Sequence, residues 1–85
     1  MSFFIYIIYS ESRDKYYVGY TQDIEIRVEK HNAGATPSTR PGSPWIFVYS
    51  EEYNEKSVAI KREIEIKKMK SRKYIEKLIG NIQNS

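Results

Sequence analysis

The chain has 85 residues, a length that suits one domain with a small core, so residues 1–85 are read as a single domain. With no cysteine and one histidine, a disulfide framework, a thiolate zinc centre and a histidine cluster are excluded, and any metal must be held mainly by oxygen, which points to a hard cation such as magnesium or manganese. The net charge of +3 is uneven: residues 1–55 carry five basic and eight acidic side chains, residues 56–85 nine basic and three acidic, and a basic half can hold a polyanion or simply be a solvated surface.

Phe3-Phe4-Ile5-Tyr6-Ile7-Ile8-Tyr9 is β-branched and aromatic without alternation, the pattern of a strand covered on both faces. It is far shorter than the roughly 20 apolar residues of a spanning helix. It also lacks the basic start of a secretory signal, so a cytoplasmic protein with no membrane contact is expected. Ser10 to Lys15 is turn-like, and Tyr16-Tyr17-Val18-Gly19-Tyr20 resumes the strand composition, which predicts a hairpin. In a suitable register Tyr6 and Tyr17 share one face of it. The chain has eight tyrosines, so core packing is the plain alternative for both.

Thr21 is a candidate helix cap, Asp23 suits a first turn and Gly34 a helix end. Ile24-Glu25-Ile26-Arg27-Val28 alternates like a strand, but the caps and the Tyr20, Ile24, Val28 spacing favour a helix. On that helix Arg27 and His31 share a face, a guanidinium that can fork onto a phosphate beside a group that titrates near neutrality. Alternatively, both are solvated. Asn32 to Pro44 is a loop, and its Thr36, Ser38, Thr39 and Arg40 are candidate phosphate contacts, with a flexible surface loop as the equal alternative. Trp45 to Tyr49 reads as a third strand. Asn54 then opens a helix running to about Lys70, and Ser71 caps a last helix with an apolar stripe of Tyr74, Ile75, Leu78, Ile79 and Ile82. The fold class expected is α+β, a small three-stranded antiparallel sheet flanked by three helices in the order strand-strand-helix-strand-helix-helix.

On the second of these helices Ala59, Ile60, Ile64 and Ile66 spread over one arc, and Glu63 falls inside it, whereas Glu65 points into the arc of Lys61, Arg62 and Lys68. An inward carboxylate must be paired, protonated or bound to metal, and a Glu63–Lys67 salt bridge is the plain alternative to a metal.

These residues together resemble the GIY-YIG nuclease family, in its compact stand-alone branch. The family opens on a Gly-Ile-Tyr strand, here Phe4-Ile5-Tyr6, followed by Tyr-Ile-Gly, here Tyr17-Val18-Gly19. An arginine follows on the first helix, here Arg27, with His31 one turn on, and a later glutamate, here Glu63, binds the metal. The run Tyr17 to Thr21, His31-Asn32-Ala33-Gly34, Pro44-Trp45, Lys61-Arg62-Glu63 and Ser71-Arg72 extend the likeness over nearly the whole chain. Phe4 stands where glycine is usual, and Asn81 and Asn84 are the late candidates for an asparagine that many members place near the site.

The resemblance implies a metal-dependent endonuclease that hydrolyses phosphodiester bonds in nucleic acid, DNA by expectation. One magnesium or manganese ion is held by Glu63, and no small-molecule cofactor is needed. Tyr6 is the implied base, with Tyr17 positioning water or phosphate and Arg27 gripping the scissile phosphate. His31 partners Tyr6 or relays its proton, and Gly19 lets substrate or a helix approach closely. Thr39, Arg40, Lys67, Lys70, Arg72 and Lys73 are the expected nucleic-acid contacts. The alternative is a nucleic-acid-binding or protein-interaction module on the same fold that has lost cleavage.

Overall fold

The computed structural model describes residues 1–83. Strand β1 (Phe3–Ser10) lies between β2 (Lys15–Thr21) and β3 (Trp45–Tyr53) and runs antiparallel to both, so the sheet order is β2-β1-β3. Helices α1 (Ile24–Asn32), α2 (Lys56–Met69) and α3 (Arg72–Gln83) complete an α+β fold in the expected order of elements. As the centre strand, β1 is covered on both faces: Ile5, Tyr6, Ile7 and Ile8 are all buried. Each fully buried aliphatic side chain contributes about 1.5–3 kcal/mol, so this strand anchors the molecule.

Strand parity sorts the core into two halves. Tyr6, Ile8 and Trp45 pack with Tyr17, Ile24 and Val28 on the α1 side. Ile5, Ile7, Val18 and Tyr49 pack with Ala59 and Ile66 of α2, and Tyr74, Ile75, Leu78 and Ile79 of α3 close over them. The β1–β3 register shifts between Ile7 and Ile8, which pair with Tyr49 and Phe47. The extra residue on β3 turns odd-numbered positions from one face to the other. Trp45 therefore packs beside Tyr6, while Tyr49 packs beside Ile7.

Several element boundaries differ from those expected. Asp23, not Thr21, caps α1, its carboxylate accepting from the Ile26 N–H at 3.1 Å. Thr21 Oγ1 instead accepts from the Asp23 N–H at 3.2 Å, one step upstream of the cap. Gly34 follows the helix with φ +78° and donates its N–H to the His31 carbonyl at 3.1 Å, the left-handed ending that glycine favours. Strand β3 runs on to Tyr53, four residues past the expected end. Helix α2 starts after Glu55 rather than Asn54 and has no side-chain cap. Ser71 does cap α3, its Oγ accepting from the Tyr74 N–H at 3.1 Å.

The inward seam of α2 is also different. Ala59 and Ile66 are buried, but Ile64 is 56% exposed. Arg62, expected to face water, turns inward and forks onto Glu51 of β3 at 2.8 and 3.0 Å. Arg62 also donates to Tyr74 of α3 at 3.0 Å and pairs with Glu65, so one guanidinium ties β3, α2 and α3 together. Glu51 accepts from Tyr49 and Tyr53 as well. Burial pushes the Glu51 carboxyl up, but the hydrogen bonds from Arg62 and the two tyrosines outweigh it and hold the group below its usual range.

Candidate functional site

Tyr6 and Tyr17 project from the same face because Tyr6 pairs with Gly19 and Tyr17 with Ile8. Their ring centroids lie 6.4 Å apart. Gly19 makes room for this arrangement: a Cβ there would meet the Tyr6 Oη at 2.6 Å and Cζ at 2.7 Å. The space expected for substrate or a helix is thus filled by the Tyr6 ring, which lies across β2. Since β2 is an edge strand, the phenol is delivered to the margin of the sheet.

Helix α1 brings Arg27 and His31 to that phenol, as their four-residue spacing allows. The Arg27 Nε–H donates to Tyr6 Oη at 3.4 Å, and His31 Nε2 lies 2.7 Å from the same oxygen. Arg27 is a donor only, so the Tyr6 proton has His31 Nε2 as its protein acceptor. Burial and the Arg27 charge both lower the His31 pKa, which keeps the ring neutral and that nitrogen free to accept. Burial holds the Tyr6 phenol above its ordinary range, against the lowering pull of its hydrogen bond from Arg27. At neutral pH Tyr6 is therefore a phenol poised to pass on a proton, not a standing phenolate.

Glu63 approaches from α2. Its side chain is 14% exposed, against 62% for Glu65, so the expected division between an inward and an outward glutamate holds. Its charge is felt at Tyr6, where it adds to the raised pKa. Lys67 Nζ donates to Glu63 Oε2 at 3.1 Å and sits 5.6 Å from the Tyr17 ring centroid, linking the carboxylate to the second tyrosine. Among the described residues no three His, Cys, Asp or Glu side chains gather into a metal cage. One carboxylate at the rim of the site fits a hard cation that takes its remaining ligands from water and phosphate. It does not fit zinc, which would need more protein ligands.

The expected nucleic-acid contacts divide. Lys67, Lys70 and Arg72 line a cleft of about 400 Å³ with Lys15, Tyr16 and Tyr17, whereas Tyr6, Arg27, His31 and Glu63 are not among its lining residues. Arg72 is already engaged, donating to Asp14 Oδ1 at 2.6 Å, to the Asp14 carbonyl at 3.0 Å and to Glu76 at 3.2 Å. Lys73 is exposed on α3 and Arg40 is exposed on its loop, where its Nε–H donates to the Gly34 carbonyl at 2.9 Å. Thr39 is only 1% exposed, and its hydroxyl meets His31 Nδ1 at 2.8 Å. A group turned inward in this way is not available to a phosphate. Asn81 lies in α3, and Asn84 lies outside the described residues.

Sequence reasoning passed over Asn32 and Trp45 as working parts. The Asn32 amide donates to the Trp45 carbonyl at 3.1 Å and accepts the Trp45 N–H at 2.5 Å, clipping the end of α1 to the start of β3. Trp45 Nε1–H donates to the Thr39 carbonyl at 2.7 Å. Their signal was the placement of a lone amide directly after His31 and of a tryptophan after Pro44, but neither spacing reveals the bond between them.

Residues 2–75 match the family described as the GIY-YIG catalytic domain. The chain belongs to the GIY-YIG family. It is similar to the UPF0213 proteins of Staphylococcus aureus strains Mu3 and Mu50, each 46% identical over 67 residues, covering 78% of this chain and 80% of the relative. It is also similar to the solution NMR structure of a UPF0213 protein from Bacillus halodurans, with TM-score 0.59 and 31% identity over 94% of this chain and 84% of that one. Membership of GIY-YIG places the chain among nucleases. Among the described residues no helix is long and apolar enough to cross a membrane.

Proposed function

We propose that this chain is a metal-dependent endonuclease, a single nuclease domain over residues 1–85 that hydrolyses phosphodiester bonds in nucleic acid, DNA by preference, in the cytoplasm. The observation that carries this reading is the Tyr6 hydroxyl, held between the donor-only Arg27 and the accepting Nε2 of His31. In that setting the phenol can take a proton from an attacking water while releasing its own to His31, so a tyrosine of raised pKa still works as a base. Arg27 stabilises the negative oxygen as it forms and turns its remaining N–H groups toward the phosphate. Tyr17, which lines the cleft beside Lys67, positions the water or the phosphate. Glu63 would hold the magnesium or manganese ion, through the Oε1 that Lys67 leaves free or by displacing Lys67 from Oε2. When bound, the ion supplies Lewis-acid stabilisation of the phosphate and the leaving oxygen.

Glu63→Gln removes the charge with little change of shape. Cleavage of plasmid DNA in magnesium should fall by about a hundredfold or more, because the metal contributes several kcal/mol to the transition state. A folded variant that cuts as fast as the wild type sinks the metal assignment. The Lys67–Glu63 pair favours a second reading, a binding module without catalysis, since it satisfies the carboxylate internally. A wild-type chain that binds DNA but cuts neither plasmid nor branched DNA nor RNA in magnesium or manganese would establish that second reading.

A further inference from the structure

Thr39 is a buried hydroxyl on a loop whose neighbours Pro37, Ser38 and Arg40 are exposed, so its burial is specific to that side chain. Its Oγ1 lies 2.8 Å from His31 Nδ1 and 3.2 Å from the Thr36 carbonyl oxygen, which also takes the Thr39 and Arg40 N–H groups. We propose that Thr39 is a positioning residue that decides which ring nitrogen of His31 carries the proton, and through it the direction in which the Tyr6 proton can leave. Its consequence for cleavage rests on the nuclease reading; the placement of the proton does not.

Both ends of the chain of bonds demand the same polarity. At one end Arg27 only donates, which leaves His31 Nε2 as the protein acceptor within reach of the Tyr6 hydroxyl. At the other end the Thr36 carbonyl only accepts, so the Thr39 hydroxyl points its hydrogen there and offers its lone pairs to Nδ1. A neutral imidazole has one N–H, and which nitrogen bears it is set by the partner of the other. With Nδ1–H donated to Thr39, Nε2 keeps its lone pair. During reaction the Tyr6 O–H bond breaks as the Nε2–H bond forms, and a proton from water replaces the one lost from Tyr6. The imidazolium that results keeps its Nδ1–H on Thr39, so no further relay is needed. The low pKa of His31 supports a neutral resting ring.

His31 is the chain's single histidine, so protein grown on isotopically labelled histidine gives one pair of ring-nitrogen NMR signals. Their positions report the tautomer directly, without any cleavage assay. The wild type should carry its proton on Nδ1. Thr39→Val leaves Nδ1–H facing a methyl group and should move the proton to Nε2, where it opposes the Tyr6 hydroxyl. Thr39→Ser keeps the oxygen and should restore the wild-type tautomer. In the same series Thr39→Val should lower turnover at saturating DNA by roughly a hundredfold, the low end of general-base effects, with affinity little changed. A wild-type ring protonated at Nε2, or a Thr39→Val ring still protonated at Nδ1, overturns the proposal. If Thr39→Val fails to fold, the wild-type tautomer alone decides it. The predicted tautomer in a chain that does not cut would leave the proposal standing and remove the nuclease reading instead.

Discussion

Gly19 has no side chain to contribute, yet the position of the Tyr6 ring depends on it. Its backbone is ordinary strand, so alanine is conformationally acceptable there; the obstacle is the phenol, which a Cβ would meet at 2.6 Å. Tyr6 is buried and bonded to both Arg27 and His31, so its ring cannot move aside without losing one of them. Gly19→Ala should therefore cost about 1–3 kcal/mol of stability, as overpacking does. If the chain cleaves DNA with Tyr6 as its base, cleavage by the variant should also fall by a factor on the order of a hundred, since a shift of about 1 Å in a reacting group has that effect. Urea unfolding and single-turnover cleavage of the purified variant check the two parts, and full activity would show that the ring has another place to go. At this scale the sequence was partly readable. Tyr6, Tyr17, Arg27, His31 and Glu63 could be picked out by type and spacing, and the structure brings them to one margin of the sheet. Thr39 could not be assigned to His31, because loop closure between residues eight apart leaves no periodic trace. A threonine in a polar loop looks like a surface contact until its hydroxyl is seen to face inward.

Among the elements, α2 has the least help from its own sequence. It lacks a side-chain cap, and its apolar residues do not form a clean stripe, since Ile64 is exposed. Ala59 and Ile66 seat it in the core, Arg62 on Glu51 fixes it to β3, and Glu63 and Lys67 follow on the same helix. The Arg62–Glu51 pair is mostly buried, with each side chain 18% exposed, so removing one partner strands the other in a poorly solvated place. Glu51→Ala should destabilise the fold by about 2–3 kcal/mol at neutral pH, below the full cost of a deeply buried pair because solvent still reaches it. Because the folded Glu51 pKa lies below its unfolded value, its contribution is present above the ordinary carboxylate range and is lost as pH falls through the folded value. The gap in denaturation midpoint between wild type and variant should thus narrow on acidification; a gap independent of pH would mean that the carboxylate is not the source. The β3 bulge was equally hidden. Trp45 and Tyr49 share parity in sequence and end on opposite faces, because the shift between them depends on how β1 is packed rather than on any glycine or proline within the strand.

For the molecule as a whole, the order of elements was legible because each strand is rich in β-branched and aromatic residues and each helix is bounded by polar or glycine signals. The uneven charge was legible too, but its use was not. Arg72 belongs to an internal bridge from α3 to the β1–β2 turn, whereas Lys15, which had no assigned task, lines the cleft with Lys70. If that cleft carries the nucleic-acid backbone, Lys15→Gln with Lys70→Gln should reduce the slope of log affinity against log salt by about 1.4–1.8, single strand to duplex. Turnover at saturation should persist, because neither lysine touches Tyr6, Arg27 or Glu63. Filter binding across a salt series measures this, and an unchanged slope would move the contact surface away from the cleft.

Tyr6 sits between Ile5 and Ile7 on the one strand that has neighbours on both edges and both faces. Most enzymes keep their reactive groups on loops, which can fray while the body stays intact. Here the Tyr6 phenol belongs to the centre strand of the sheet, the part expected to open last. Its amide should exchange with solvent only when the sheet itself comes apart, which native-state hydrogen exchange checks. If Tyr6 is the base, the phenol itself should lose its place only as the sheet unfolds, whereas Glu63 on α2 and His31 on α1 can be displaced earlier.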